Sequence, residues 1–227
     1  MNLDHRLQAV GSFVPKGAVM ADIGTDHAYL PVWLLEQGRI TSAIAGDIAA
    51  GPCQAARNTV ATYGMKDRVQ VRQGSGLKVL TPGEVDTVTI AGMGASTIIS
   101  ILEEAPAVVA SLKTMVLQPM AAASSLRKWL TSNGWQLIGE DLVEDGKHFY
   151  EIICAQQGEN TTYSEAQYAV GPVLLQGGHR LLPKQLQRQR DNCYKLLQQM
   201  EQSEQAKASA KYAQLQALVK ELEALHG

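Results

Sequence analysis

The sequence predicts an α/β fold: a Rossmann-like, doubly wound sheet that ends in an antiparallel hairpin, followed by a separate C-terminal α-helical hairpin of coiled-coil character. Three observations predict it. Short apolar runs alternate with helical stretches of about 10–15 residues, the pattern of a parallel sheet covered on both faces. The last two apolar runs, "WQLIGEDLVED" (135–145) and "KHFYEIICAQQ" (147–157), meet at "EDGK" (144–147), where Asp145-Gly146 is a hairpin signal. From residue 182 the apolar positions follow a seven-residue pattern instead.

The first strand is 18–24 (AVMADIG), and Pro31, suited to a first helical turn, opens a helix through about residue 38. A second strand at 41–48 leads to a helix over 52–63, where Gly64 is a plausible stop. Strands at 68–74 and 84–94 follow, then one helix over roughly 95–110, a strand at 113–119 and a helix over 122–133, before the hairpin strands. Composition changes after "GENTTYS" (158–164), so the chain divides near residue 160 into domains 1–158 and 159–227. In the second, Leu182, Leu186, Cys193, Leu196 and Met200, interrupted by the polar Gln189, then Ala208, Tyr212 (or Lys211), Leu215, Leu218, Leu222 and Leu225, give two narrow apolar seams around "EQSEQ", an antiparallel helical hairpin.

The 227 residues, 45% apolar and 19% charged, exclude a disordered chain, and a net charge of −2 excludes a protein that binds nucleic acid by its overall charge. Three scattered cysteines, Cys53, Cys154 and Cys193, with no CxxC support neither a disulfide framework nor a zinc site, and no metal site is expected. With no apolar stretch of signal-peptide or membrane-span length, the expectation is a cytoplasmic protein without a membrane partner.

"MADIGTDHAYLP" (20–31) is where chemistry is expected, because ligands of doubly wound sheets sit at the carboxyl ends of strands. Asp22 ends the first strand, and Gly24 lets a backbone approach a cofactor closely. No GxGxxG follows, which disfavours a dinucleotide. Asp47 ends the next strand, 25 residues after Asp22, where a carboxylate can accept two ribose hydroxyls and Ile48 can cover a purine. The plainer readings are a helix cap for Asp47 and a carboxylate satisfied by backbone amides for Asp22. "RQGSG" (72–76) and "IAGMGA" (90–95) put glycines at two further strand ends, so four termini carry glycine or acid where a ligand would lie.

"MADIGTDHAYLP", "AGDIAAGP", "VRQGSGL", "IAGMG", "LQP" and "DGKHFYEII", in this order, resemble the motifs of the TrmK family, bacterial tRNA adenine-N1 methyltransferases acting at adenine 22 in the D-arm region. The resemblance covers about residues 1–158, and a sheet finished by an antiparallel hairpin is usual for class I methyltransferases. It implies S-adenosylmethionine over Asp22, Ile23 and Gly24, its ribose on Asp47, and its adenine bordered by Gly74, Ser75 and Gly76, with Gly92 and Met93 at the fourth strand end. Ser75 stands where many relatives carry Asp or Asn, and Ala95 where glycine is common.

The resemblance also implies roles for a loop not needed to hold the cofactor. Adenine N1 attacks through its own lone pair, so the enzyme must hold it in line with the methyl and offset the charge that develops on the base. Asp26 near the exocyclic amine can do both; its alternative is to cap the following helix. Tyr29 can stack on the target adenine or simply pack, and His27 can contact the base or a phosphate or fix the loop. Met93 is also a candidate pocket wall, with Gln118 and Pro119 as weaker candidates.

A tRNA partner needs cations, and residues 179–200 carry Arg180, Lys184, Arg188, Arg190 and Lys195 against Asp191 alone. Arg180, Lys184 and Arg188 lie four apart, on one helical face that can track phosphates or merely be solvated. His5 and Arg6 can add to a basic rim. Two other classes compete: a small-molecule methyltransferase, in which the helical hairpin only pairs copies of the chain, and a non-catalytic cofactor-binding module associated with RNA. The sequence itself leaves the oligomeric state open.

Overall fold

Seven strands, β1 (Ala18–Ile23), β2 (Ile40–Asp47), β3 (Val69–Gln73), β4 (Thr87–Met93), β5 (Thr114–Pro119), β6 (Trp135–Asp145) and β7 (His148–Gln157), form one sheet in the computed structural model, which describes residues 1–146 and 148–225. Their order is β3-β2-β1-β4-β5-β7-β6. The first five strands run parallel; β7 enters antiparallel beside β5, pairing Thr114 with Gln156, and β6 closes the edge. Both central strands are apolar almost throughout, as burial on two faces demands: Met20, Ala21, Val88 and Ile90 are fully buried. The hairpin turns at Asp145-Gly146, with Gly146 at φ +59; Lys147 of the expected turn lies outside the described residues.

Helices α1 (His5–Phe13), α2 (Tyr29–Glu36), α3 (Ala50–Thr62), α4 (Ala95–Glu103), α5 (Pro106–Ser111) and α6 (Ala123–Ser132) accompany this sheet. Three differ from the sequence reading. The helix α1 was not expected; Asp4 caps it by accepting the Leu7 N–H at 2.7 Å. The expected helix over 95–110 is two helices, because Pro106 has no N–H to donate and forces Ala105 out of the helical region, to φ −137 and ψ 56. The helix expected to open at Pro31 begins at Tyr29, entered from Ala28 in the left-handed conformation at φ +55.

The chain divides into two compact units, Met1–Thr161 and Thr162–Gly227. The second contains α7 (Glu165–Val170), α8 (Pro172–Gly177), α9 (Leu182–Met200), α10 (Glu204–Lys207) and α11 (Ala210–Ala224). Tyr194 donates to Glu223 and Tyr212 to Glu201, pairings that run in opposite directions along α9 and α11. Their shared cluster holds Leu186, Cys193, Leu197, Val219 and Leu222 together with Ala166 and Val170 of α7. Leu197, not the expected Leu196, faces inward, and Leu196 is exposed.

Candidate functional site

The β1 strand ends in Asp22, Ile23 and Gly24 beside the ends of β2 and β4. Asp22 is buried, but hydroxyls rather than backbone amides satisfy it: Thr25 Oγ1 and Thr89 Oγ1 each donate to it at 2.7 Å. Burial pushes its carboxyl above the ordinary range, while the Thr89 and Thr25 hydroxyls and the charge of Arg6 pull it back. Ile23 is a core side chain. Gly24 lies at φ +75, and a Cβ there would sit 2.1 Å from the Met93 terminal methyl, so the thioether covers this glycine.

The loop that follows is wound tightly. Asp26 and Ala28 both adopt left-handed conformations, φ +52 and +55, a costly geometry that clusters at functional sites. Thr25 O accepts the Ala28 N–H at 2.9 Å, and Ala28 is fully buried. The N-terminus of α2 has no side-chain cap, so Asp26 does not cap it. Its carboxylate is 71% exposed and lies 3.7 Å from His27 Nε2. The rings of His27 and Tyr29 are stacked, 5.0 Å apart and within 8° of parallel, and Tyr29 is 44% exposed.

Asp47 ties this loop to β2: its carboxylate accepts the Asp26 N–H at 3.3 Å and the Ala49 N–H at 3.0 Å. Ile48 beside it projects into solvent, 69% exposed. The glycines after β3 have a packing reason of their own. A Cβ on Gly74 would meet Val79 at 2.7 Å, and one on Gly76 would meet Ile101 at 3.0 Å. Ser75 between them is exposed.

One cavity of about 270 Å³ brings together Asp22, Gly24, Asp26, His27, Tyr29 and Gly92. Arg6 and Thr25 line it too, and Gln118 stands behind Arg6: Gln118 Oε1 accepts Arg6 Nη1 at 2.8 Å and the Gly92 N–H at 3.1 Å. Sequence reasoning gave Arg6 only to a basic rim, though the Asp4 cap marks its helix. Ile48, Gly74, Ser75 and Gly76 lie apart from this cavity, at the ends of β2 and β3. A larger cavity, about 640 Å³ between Trp129 and Trp135, opens at the opposite end of the sheet, where open α/β sheets do not bind their ligands.

The donor set fits S-adenosylmethionine: a carboxylate beside an exposed apolar side chain for a nucleoside, and a small charged cavity one strand away for its tail. Among the described residues no group of three His, Cys, Asp or Glu could hold a metal ion. The three cysteines are buried free thiols.

Comparison with known proteins gives one consistent answer. The family model described as TrmK, tRNA (adenine(22)-N(1))-methyltransferase, matches residues 20–224. The Bacillus subtilis tRNA (adenine(22)-N(1))-methyltransferase is 35% identical over 208 residues, 89% of this chain and 87% of that one. The crystal structure of the B. subtilis m1A22 tRNA methyltransferase TrmK superposes with a TM-score of 0.90 at 34% identity, covering 100% and 99% of the two chains. Streptococcus pneumoniae Sp1610, solved in complex with S-adenosyl-L-methionine, superposes with a TM-score of 0.87 at 32% identity, covering all of both chains.

Proposed function

Because the chain belongs to the TrmK family of tRNA (adenine(22)-N(1))-methyltransferases, we propose that methyl transfer takes place at the cavity lined by Asp22, Gly24, Asp26, Tyr29 and Gly92. The protein is an S-adenosylmethionine-dependent enzyme that methylates N1 of adenine 22 in tRNA. The cofactor supplies an electrophilic methyl on a sulfonium. Asp47 and Ile48 receive its nucleoside, with Gly74, Ser75 and Gly76 bordering the base, and Asp22, Ile23 and Gly24 underlie its tail beside Gly92 and Met93.

The single observation that carries the reading is the strained loop. Its left-handed turn exposes a carboxylate, Asp26, 3.7 Å from the Nε2 edge of His27, whose ring is stacked on Tyr29, all on the cavity that holds Asp22 and Gly24. A purine stacked on Tyr29 keeps N1 directed at the cavity. Asp26 accepts the exocyclic amine hydrogen, and its negative charge offsets the positive charge that grows on the base as N1 takes the methyl. His27 orders the loop by stacking on Tyr29 and facing Asp26.

The first unit is the catalytic domain in this account, and the second holds tRNA through phosphates in the cytoplasm. Arg180 and Lys184 are exposed; Arg188 is half-buried, and α9 begins two residues after Arg180, so the row includes a turn as well as a helix. None of the described helices is long and apolar enough to cross a membrane.

The test is methyl transfer to a tRNA transcript by the parent protein and Asp26→Ala. Turnover falls by about 100-fold or more, the range expected when a preorganised group that stabilises the charge of the transition state is lost, while affinity for S-adenosylhomocysteine stays within a few-fold. An unchanged rate removes Asp26 from the mechanism.

A further inference from the structure

The β6–β7 hairpin reaches past the rest of the sheet. The last pair of β7 with β5 joins Ile153 to Leu117, and residues 148–152 beyond it pair with β6 alone. His148 stands three residues past the level of Pro119, the end of β5, so the hairpin rises about 10 Å above the sheet end that holds the cavity. His148 and Tyr150, two apart on one strand, share a face. Their rings are stacked, 5.8 Å apart and 28° from parallel. Tyr150 is half-buried: it packs with its cross-strand partner Val143 against the core, and the Arg6 guanidinium lies 5.6 Å from its ring centre. His148 above it is exposed. A fixed ring below and solvent above make His148 a flat step beside Arg6, which lines the cavity.

The chemistry of the substrate calls for such a step. N1 lies on the Watson–Crick edge of adenine, so the base must leave its stack before N1 can reach a methyl donor. Extrusion turns the nucleotide by about 180° about its backbone, which puts the extruded base and the neighbour it leaves on opposite sides of the strand. Tyr29 and His148 are placed in the same way. Tyr29 follows β1 and His148 begins β7, and with the order β1-β4-β5-β7 three strand spacings, about 14 Å in all, separate them. Around the hairpin turn the sequence has Glu144 and Asp145 against Lys147, a net negative charge that does not attract phosphates. What this arm offers a nucleic acid is therefore the face of a ring.

We propose that His148 stacks on a base adjacent to adenine 22 of the tRNA while adenine 22 itself lies on Tyr29, and that Tyr150 and Arg6 position His148 for this. The proposal rests on the reading of Tyr29 above and deepens it. Every base has a flat face, so the contact holds the opened stack without reading its sequence.

Methylation kinetics test it with three tRNA transcripts: one intact, one lacking the base on the 5′ side of adenine 22, and one lacking the base on its 3′ side. His148→Ala lowers kcat/KM for the intact transcript by about 5- to 150-fold, the range for losing one base–aromatic stack, while its affinity for S-adenosylhomocysteine stays within about twofold of the parent. His148→Phe keeps most of the parent's rate. On one of the two abasic transcripts the parent and His148→Ala differ by less than about twofold, because the stacking base is already gone, and on the other the full difference persists. Affinity for each transcript, measured with S-adenosylhomocysteine bound, follows the same pattern and serves where an abasic transcript is turned over too slowly. An unchanged kcat/KM in His148→Ala overturns the proposal. A loss in His148→Phe equal to that in His148→Ala assigns the effect to the imidazole nitrogens and overturns it too, as does an undiminished difference on both abasic transcripts. Tyr29→Ala turning over at the parent's rate would instead overturn the placement of adenine 22 on which the proposal rests.

Discussion

Replacing Gly24 by alanine separates the cost of backbone strain from the cost of filling the site. An L-residue at φ +75 is strained by about 1–2 kcal/mol, of which the reduced freedom of the unfolded chain returns about 0.4–1 kcal/mol. The new methyl would overlap the Met93 terminal methyl at 2.1 Å, so that flexible end must leave its rotamer at about 0.5–1.5 kcal/mol. The net loss is about 0.5–3 kcal/mol, or roughly 1–12 °C in Tm for a chain of this size. Gly38→Ala is the control: its φ is +61, and a Cβ there meets nothing within 4 Å. It carries the backbone strain without touching the site. Binding separates the two variants. In Gly24→Ala the added methyl and the displaced thioether both crowd the cofactor's path, an overpacking of about 1–3 kcal/mol, or roughly 5- to 150-fold in affinity. Calorimetric titration with S-adenosylhomocysteine and a thermal melt of each variant read both quantities. If Gly24→Ala binds as tightly as Gly38→Ala, the cofactor does not pass over Gly24 and the site has been placed wrongly.

Charge reversal at Arg180, Lys184 and Arg188 weakens tRNA binding and lowers the slope of log affinity against log salt by about 1 for each phosphate no longer neutralised; an unchanged slope makes the row a solvated face. Tyr29→Ala raises KM for tRNA and lowers kcat, whereas Tyr29→Phe, which keeps the ring, retains most of both; equal losses would show that the hydroxyl rather than stacking matters. Glu84 is held at about 2, well below the usual carboxylate range, chiefly by its hydrogen bonds from Arg72 and also by the Thr81 N–H. Since its folded pKa is the lower one, the stability it contributes is present above about pH 4.5 and is lost as pH falls toward 2. Denaturant titrations of Glu84→Gln therefore show a shallower decline across that window than the parent, and parallel declines would refute the coupling.

The elements that were legible in the sequence are those whose signal is local. Apolar runs such as "AVMADI", short and alternating with helical stretches, read as buried strands, and Asp145-Gly146 announces its own turn. Their ends drew attention to Asp22, Gly24 and Asp47 because sheet chemistry dictates where ligands lie. The break at Pro106 and the capping box joining Ser164 to Gln167 at α7 were equally local, and a stricter reading of proline and of the S-x-x-Q spacing finds both. Arg6 and Gln118 are different: 112 residues separate them, and only the packing of α1 against the folded sheet brings them together. The left-handed turn at Asp26 has only the weak signal that aspartate tolerates positive φ, and alanine at position 28 gives no hint of it. The choice of Leu197 over Leu196 in α9 depends on α7 packing into the same cluster, which a two-helix pattern does not anticipate.

Everything above depends on methyl transfer from S-adenosylmethionine to N1 of one adenine. Its most direct test uses labelled cofactor and two tRNA transcripts, one with adenine at position 22 and one with guanine there, followed by nuclease digestion and mass spectrometry of the nucleosides. 1-Methyladenosine is expected in the fragment containing position 22 of the first transcript and not in the second. No label in the first transcript, or equal label in both, contradicts it.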